Sequence, residues 1–108
     1  VELVSASVRG QRIAANVVGV SGNGAVGGES LDHANLIEDN TTGVGSFSGT
    51  VQFNRIAGNG TGIRATTGLT IVHNLIYRNA QAGIAVTGVA DVRIVSNTLY
   101  SPTGDLVR

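Results

Sequence analysis

The sequence predicts an all-β solenoid, a parallel β-helix of about five coils with three short strands in each coil. Three features predict this fold. Asparagine recurs about every 20 residues, an aliphatic residue follows each of these asparagines at a fixed distance, and glycine and β-branched residues are abundant while proline occurs once. Such a composition favours short strands joined by tight turns and disfavours helices. A fixed repeat of this length is typical of solenoids.

One set of asparagines marks the coil repeat. Its members, spaced by 19, 19, 20 and 23 residues, are Asn16, Asn35, Asn54, Asn74 and Asn97. The aliphatic residues two positions later are predicted to stack in one interior column, Val18, Ile37, Ile56, Ile76 and Leu99. We predict a structural ladder in which each asparagine amide bonds to its copies in neighbouring coils, since amide ladders stabilise stacked strands. Asparagine also tolerates the left-handed backbone of a sharp turn.

A second set of asparagines follows five positions later in three of the coils, and it consists of Asn40, Asn59 and Asn79. Each is followed by glycine and an aliphatic residue, as in Gly62-Ile63. In the last coil we expect Asp105-Leu106 to take the place of this glycine-aliphatic pair. Asn23, in the first coil, falls outside the clear register.

A single coil cannot bury its own aliphatic side chains. Coils stacked about 4.8 Å apart pair each strand with the same strand above and below, and each buried aliphatic side chain then contributes about 1.5–3 kcal/mol. Period-two alternation predicts Ile63 inside and Arg64 outside. In the third strand, the predicted counterparts are Ile13, Val51 and Ile71. We treat residues 1–108 as a single domain, in which residues 1–12 form a partial coil or a cap.

Three stretches carry a family resemblance: NRIAGNGTGIRATTG, NLIYRNAQAGIAVTG and SNTLYSPTGDLVR. They resemble the right-handed parallel β-helix repeats of the pectate-lyase-like superfamily, which includes pectate lyases, alginate epimerases and large bacterial surface proteins. The resemblance is strong over residues 51–108 and weaker over 13–50, and it marks a fold rather than one activity. A leucine-rich repeat is the alternative fold, because residues 69–76 also fit its core pattern, although the return segment has almost no leucine.

Charge and composition narrow the classes of partner and location. The net charge is zero and only 13% of the residues are charged, so we expect no nucleic-acid partner, which would need a basic surface. No apolar run is long enough to span a bilayer, so we expect no membrane insertion. We expect a segment of a larger protein with an extracellular or cell-surface location. An uncapped strand at Leu106 and Val107 predicts self-association through the coil ends.

Two tyrosines and two arginines form the candidate ligand-binding site. Tyr77 and Tyr100 both lie three residues after a ladder asparagine, where their rings could stack on sugars. Arg55 and Arg78 lie nearby and could bind an acidic sugar, so a polysaccharide is the candidate partner. The alternative is that the tyrosines are a packing pair between coils and the arginines are ordinary surface residues.

The densest polar patch contains Glu29, Asp32, His33, Glu38 and Asp39. Asp32, Glu38 and Asp39 are weak candidates for calcium ligands, because calcium needs several carboxylate oxygens. A solvated turn is the favoured interpretation, and the sequence therefore predicts no metal site and no other cofactor. Alginate epimerases carry an Asp-Pro-His-Glu motif, of which only an Asp-His pair occurs here.

No residue is predicted to be catalytic. In pectin-type enzymes of this fold, the substrate lies on one sheet beside clustered carboxylates and a basic residue, whereas the outward column predicted here reads Gly45, Arg64, Ala85 and Val107. The sequence indicates a non-catalytic repeat module of a larger secreted or cell-surface protein, either a rigid spacer or a polysaccharide-contact surface. The alternative is a segment of a polysaccharide lyase, epimerase or hydrolase whose catalytic residues lie mainly on other coils.

Overall fold

The computed structural model describes residues 1–66, 68–87, 91–100 and 104–108. These residues form a solenoid of parallel strands, which confirms the predicted all-β fold. The strands are β1 (Glu2–Val8), β2 (Arg12–Ala14), β3 (Val18–Val26), β4 (Leu36–Glu38), β5 (Thr42–Gln52), β6 (Arg55–Ala57), β7 (Thr61–Ala65), β8 (Leu69–Val72), β9 (Leu75–Tyr77), β10 (Ala82–Val86), β11 (Val92–Val95), β12 (Thr98–Tyr100) and β13 (Asp105–Val107). A short 3-10 helix spans Leu31–His33. Within the described residues, no helix has the length and apolarity needed to cross a bilayer.

Strand pairing divides each coil among three faces. The first face is the five-stranded sheet β2-β4-β6-β9-β12. The second face contains the starts of β3 and β5 together with β7, β10 and β13, and the third contains the ends of β3 and β5 together with β8 and β11. The predicted three strands are separate in the coils β6-β7-β8 and β9-β10-β11. In the two preceding coils one long strand, β3 or β5, covers both the second and third faces.

Like residues stack on like in three interior columns, as predicted for coils that cannot bury their own side chains. The first-face column is Ile13, Ile37, Ile56, Ile76 and Leu99. The second-face column is Val20, Val44, Ile63, Ile84 and Val107. The third-face column is Val26, Val51, Ile71 and Ile94. The aliphatic members of the middle coils are fully buried, so these columns form the hydrophobic core.

Two ladders of asparagine amides line the corners on either side of the first face. In the first ladder, the Nδ2 atoms of Asn35, Asn54 and Asn74 donate to the Oδ1 atom of the next member at 2.9, 3.0 and 3.0 Å, ending at Asn97. In the second ladder, Asn16, Asn40 and Asn59 donate in the same way at 3.1 Å each, ending at Asn79. The predicted amide ladder is therefore confirmed, but it is double.

The predicted place of Asn16 was wrong. Asn16 bonds to Asn40 in the second ladder and not to Asn35 in the first. The first-ladder position of that coil belongs to Gln11, whose backbone N–H donates to Asn35 Oδ1 at 3.0 Å. Asn16 and Asn40 are 24 residues apart, because the coil between them also holds the 3-10 helix at Leu31–His33. The spacing of 19 residues between Asn16 and Asn35 was therefore a coincidence of two different corners.

The same error displaced the aliphatic columns of the first coil. Val18 was predicted to stack on Ile37, but it pairs with Thr42 and is 39% exposed. Ile13 was predicted to be a counterpart of Ile71, but it lies on the first face beside Ile37. The third-face position belongs to Val26, which pairs with Val51. A shift by one corner moves every residue of the coil to a different face.

An asparagine in the interior of a ladder links three coils. Asn54 Nδ2 donates to the Val26 carbonyl one coil earlier at 2.9 Å and to Asn74 Oδ1 one coil later at 3.0 Å. The backbone N–H of Asn54 also donates to Asn74 Oδ1, at 3.1 Å. Among the described residues, no buried side-chain nitrogen or oxygen atom lacks a hydrogen-bond partner. The ladders therefore satisfy the polar groups that the sharp corners bury.

Except at Ala34, whose φ angle is −63°, the residue before each ladder asparagine, and not the asparagine itself, takes the left-handed backbone conformation. In the first ladder the φ angle is 54° at each of Phe53, His73 and Ser96. In the second ladder the φ angles are 62° at Ala15, 56° at Asp39, 67° at Gly58 and 55° at Arg78. A left-handed residue other than glycine costs roughly 1–2 kcal/mol. The asparagine of the corner thus contributes its amide hydrogen bonds, while the strained backbone conformation belongs to the residue before it.

Glycine occupies one column on the second face because the coils approach closely there. A Cβ atom on Gly43 would lie 2.5 Å from the carbonyl oxygen of Gly62, and one on Gly62 would lie 2.5 Å from that of Gly83. Gly19 is in the same situation, with a Cβ atom 2.6 Å from the Gly43 oxygen. None of these glycines has a positive φ angle in the left-handed range, so the requirement is for space.

The last coil is displaced by one residue from the predicted alignment. Asp105 pairs with Ala82 and Val107 with Ile84, so Leu106 stands in the glycine column and Asp105 precedes it. Leu106 and Val107 are 45% and 49% exposed. Self-association through these residues stays a prediction. Residue 67 and residues 88–90 and 101–103 lie outside the described part of the chain.

The Asn74→Ala substitution tests the first ladder. It removes the amide that donates to Val51 and Asn97 and leaves buried corner groups unpaired. We expect a loss of about 1–3 kcal/mol in the free energy of unfolding, measured by urea denaturation. The control is Asn23→Ala, because Asn23 is exposed and its side chain bonds only to Ser5 among the described residues. Equal midpoints for the two variants would contradict the structural role of the ladder.

The Gly62→Ala substitution tests the glycine column. The new methyl group would meet the Gly83 carbonyl and the Asn79 amide, and we expect a loss of about 1–3 kcal/mol, as for other overpacked sites. Gly68→Ala is the matched control, because a Cβ atom there meets nothing within 4 Å. Thermal unfolding of both variants checks this, and a Gly62→Ala variant as stable as the control would show that the coils are not held at this spacing.

Candidate functional site

The outward side of the first face carries the candidate ligand-binding residues. Because each of its strands has three residues with the middle one inside, two outward columns remain. One column is Arg12, Leu36, Arg55, Leu75 and Thr98, and the other is Ala14, Glu38, Ala57, Tyr77 and Tyr100. Tyr77 and Tyr100 are direct neighbours on adjacent strands. Tyr77 is half-buried and Tyr100 is 59% exposed.

The arginines of this face differ in their partners. Arg12 donates to Glu38 at 2.5 Å, which neutralises one end of the face. Arg55 and Arg78 are exposed, and neither side chain has a hydrogen bond or ion pair within the described residues. Arg55 lies at the start of β6, and Arg78 follows β9 directly after Tyr77. Tyr77, Tyr100 and Arg55 thus lie in the outward columns of the first face, and Arg78 lies at the corner where β9 ends.

The predicted acidic patch does not form a single cluster. Asp32 and His33 lie in the 3-10 helix, Glu38 ends β4 beside Arg12, and Asp39 forms the next corner. Within residues 1–66, 68–87, 91–100 and 104–108, no three His, Cys, Asp or Glu side chains are close enough to hold a metal ion together. Asp32, Glu38 and Asp39 therefore do not share one site in this structure.

A pair of stacked rings lies at the corner that leads into the first face. The ring centroids of Phe53 and His73 are 5.1 Å apart, and their planes are inclined by 17°. The backbone N–H of Phe53 donates to the His73 carbonyl at 3.1 Å, so the two corners are stacked one on the other. Beside the rings is a cleft of about 370 Å³. The repeat places these residues in one column, but nothing in the sequence indicates that their rings would stack.

The second face carries a sparse set of charges. Arg64 is exposed and pairs in register with Ala85. Val107 was predicted to continue this outward column, but it pairs with Ile84 in the interior column. Arg108, one residue later, makes an ion pair with Asp105 at 3.0 Å. Within the described residues, Arg64 has no carboxylate partner of this kind.

The comparison with family models agrees with this geometry. The model described as a right handed beta helix region matches residues 6–107. The chain belongs to the right-handed β-helix family. Comparisons with curated proteins and with solved structures found no match.

Membership of the right-handed β-helix family settles the choice between the two predicted folds. The match runs from β1 to β13 and so includes all three faces of the solenoid. The leucine-rich-repeat alternative does not fit, because the return segment of each coil is a strand that pairs with its neighbours. The protein is therefore a β-helix repeat region, in agreement with the resemblance to pectate-lyase-like repeats.

We predict that this β-helix segment alone does not cleave or epimerise acidic polysaccharides. In the part of the chain that the structure describes, Arg64 has no carboxylate partner that could hold calcium or tune its charge state for base chemistry. The measurement is absorbance at 235 nm for unsaturated products on pectate and alginate, with and without calcium, together with the uronate composition of the alginate before and after incubation. Product formation that disappears in Arg64→Ala would overturn this prediction.

Proposed function

We propose that this β-helix is a non-catalytic repeat module of a larger secreted or cell-surface protein, and that its first face contacts an acidic polysaccharide. The observation that carries the proposal is that Tyr77, Tyr100 and Arg55 occupy the outward columns of that face, with Arg78 at the corner directly after Tyr77. In the folded chain, register pairing brings together residues from three successive coils.

The spacing of the rings supports contact with an extended ligand. Neighbouring strands lie about 4.8 Å apart, so Tyr77 and Tyr100 present two rings in line with the solenoid axis. The small, buried side chain of Ala57 precedes them in the same column, and Arg55 lies at the other end of the Ala57 strand. A chain of sugars lying along the axis would meet an aromatic surface first and a positive charge next to it.

The free arginines support an acidic ligand. Arg55 and Arg78 have no internal partner among the described residues, so their donors are available to carboxylate or sulfate groups, which guanidinium binds in a bidentate manner. The Arg12–Glu38 pair at the other end of the face has no such capacity. The module would therefore bind the polysaccharide with its C-terminal coils, and its other coils would act as a rigid support.

A binding experiment tests the acidic-polysaccharide surface. We expect oligogalacturonate or alginate oligosaccharides to bind in isothermal titration, with affinity that falls as salt rises. Arg55→Ala and Arg78→Ala should each weaken binding about two- to fivefold, as for exposed charge pairs. Tyr100→Ala should weaken it about two- to tenfold through the lost ring surface.

Arg64→Ala is the matched control, because Arg64 is also an exposed arginine without an internal ion pair but lies on the second face. Binding should be unchanged in this variant. Equal losses for Arg64→Ala and Arg55→Ala would show nonspecific attraction. No binding of any acidic oligosaccharide would leave the module as a spacer and would contradict the proposed contact surface.

A further inference from the structure

We propose that the cleft beside the Phe53–His73 ring stack is a second binding site, which takes an uncharged saccharide ring. The cleft measures about 370 Å³ and is lined by Leu31, Phe53, His73, Leu75, Ser96 and Thr98, together with the ladder residue Asn74. This volume lies within the range of small-ligand clefts, roughly 300–1,000 Å³.

The two rings occupy backbone positions that do not favour them. Phe53 and His73 both have φ angles of 54°, in the left-handed region, which glycine and asparagine adopt most easily. The equivalent positions of the second ladder show that the corner does not need a ring, because Ala15, Asp39 and Gly58 form it there. Two rings are thus kept at strained positions of one corner, and strain of this kind concentrates at ligand sites.

The stacking leaves aromatic surface open to the cleft. Phe53 is half-buried and His73 is exposed. The corner of the next coil carries Ser96, whose φ angle is also 54° and whose side chain is short. Beyond His73 there is consequently room for a flat ligand in place of a third ring. A saccharide ring presents an apolar C–H face that fits such a surface.

The polar groups of the cleft suit hydroxyl ligands. The hydroxyl groups of Ser96 and Thr98 are exposed and make no hydrogen bond within the described residues. Each can donate one and accept two hydrogen bonds. The described lining contains no Asp, Glu, Lys or Arg, so no lining side chain compensates the charge of a uronate, and Arg55 lies one strand away, beside Leu75. Leu31, 59% exposed on the 3-10 helix, adds apolar surface on the side of Phe53.

The choice of a saccharide as ligand class rests on the proposed function, while the residues do not overlap with it. Leu75 and Thr98 belong to the outward column next to Tyr77 and Tyr100, so the cleft borders the acidic-polysaccharide surface. The two sites differ in the charge of the sugar that each one binds. The cleft takes a neutral ring, and the arginine side takes an acidic one.

The experiment is a titration of the isotope-labelled chain, followed by amide NMR shifts, with cellotetraose, mannotetraose and galactotetraose as neutral probes and tetragalacturonate as the acidic probe. At least one neutral probe is expected to shift the amides of Phe53, His73, Ser96 and Thr98. His73→Gly should weaken that binding at least tenfold. The same variant should keep or raise the urea midpoint, because glycine relieves the left-handed backbone.

Asp39→Gly is the matched control, because it relieves the same strain at an exposed corner of the second ladder, with φ of 56°. It should leave the binding of neutral probes unchanged. Phe53→Gly is the second test variant and should lose the same binding. The proposed cleft site would be overturned if no neutral probe bound. It would also be overturned if His73→Gly bound the neutral probe as tightly as the unmodified chain.

Failure of the cleft and failure of the acidic surface are distinguishable. One outcome is that tetragalacturonate binds in a way that depends on Arg55 and not on His73, while no neutral probe binds. This outcome overturns the proposed cleft site and leaves the acidic surface in place. Neutral binding that is lost in His73→Gly, without any binding of tetragalacturonate, supports the cleft and overturns the acidic surface.

Discussion

A coil that turns three times in about 20 residues buries backbone N–H and C=O groups at its corners, where no neighbouring strand can satisfy their hydrogen bonds. The asparagine amide solves this problem because it donates and accepts at once. Asn54 donates to the Val26 carbonyl below and to Asn74 above while its oxygen accepts from Asn35. The aliphatic columns supply the larger share of burial, but they stack in register only because the corners are bonded. Since each amide polarises the next, the bonds of a ladder strengthen one another.

The fixed register also decides what the surface can present. Tyr77 and Tyr100 are distant in sequence but adjacent on the first face because β9 and β12 pair residue for residue. Phe53 and His73 meet for the same reason at the corner. A ligand site on this fold needs no loop to assemble it, since a column of outward positions already has a constant spacing. Side chains that have no role in packing, such as Arg55, are then free for recognition.

Sequence periodicity was sufficient for the fold and for the middle coils, where Asn35, Asn54 and Asn74 recur beside Ile37, Ile56 and Ile76. It failed for the first coil because both corners use asparagine, and a count of residues cannot tell one corner from the other once a 3-10 helix lengthens the coil. The phase of the repeat was sufficient to place Arg55, Tyr77 and Tyr100, which belong to the proposed polysaccharide surface, in outward positions of the first face. The Phe53–His73 stack could not, because it depends on side-chain rotamers at left-handed positions.

All the bonds between coils described above, from the strand pairs to the amide ladders, run along the solenoid axis. A pulling force along this axis therefore loads all the interfaces between coils in series, and the weakest interface gives way first. A force across the axis is shared by every strand pair of a face. The molecule is accordingly an anisotropic material, compliant when its ends are drawn apart and stiff against bending loads on its faces. The glycine column, which sets the closest approach between coils on the second face, fixes how far it can be compressed.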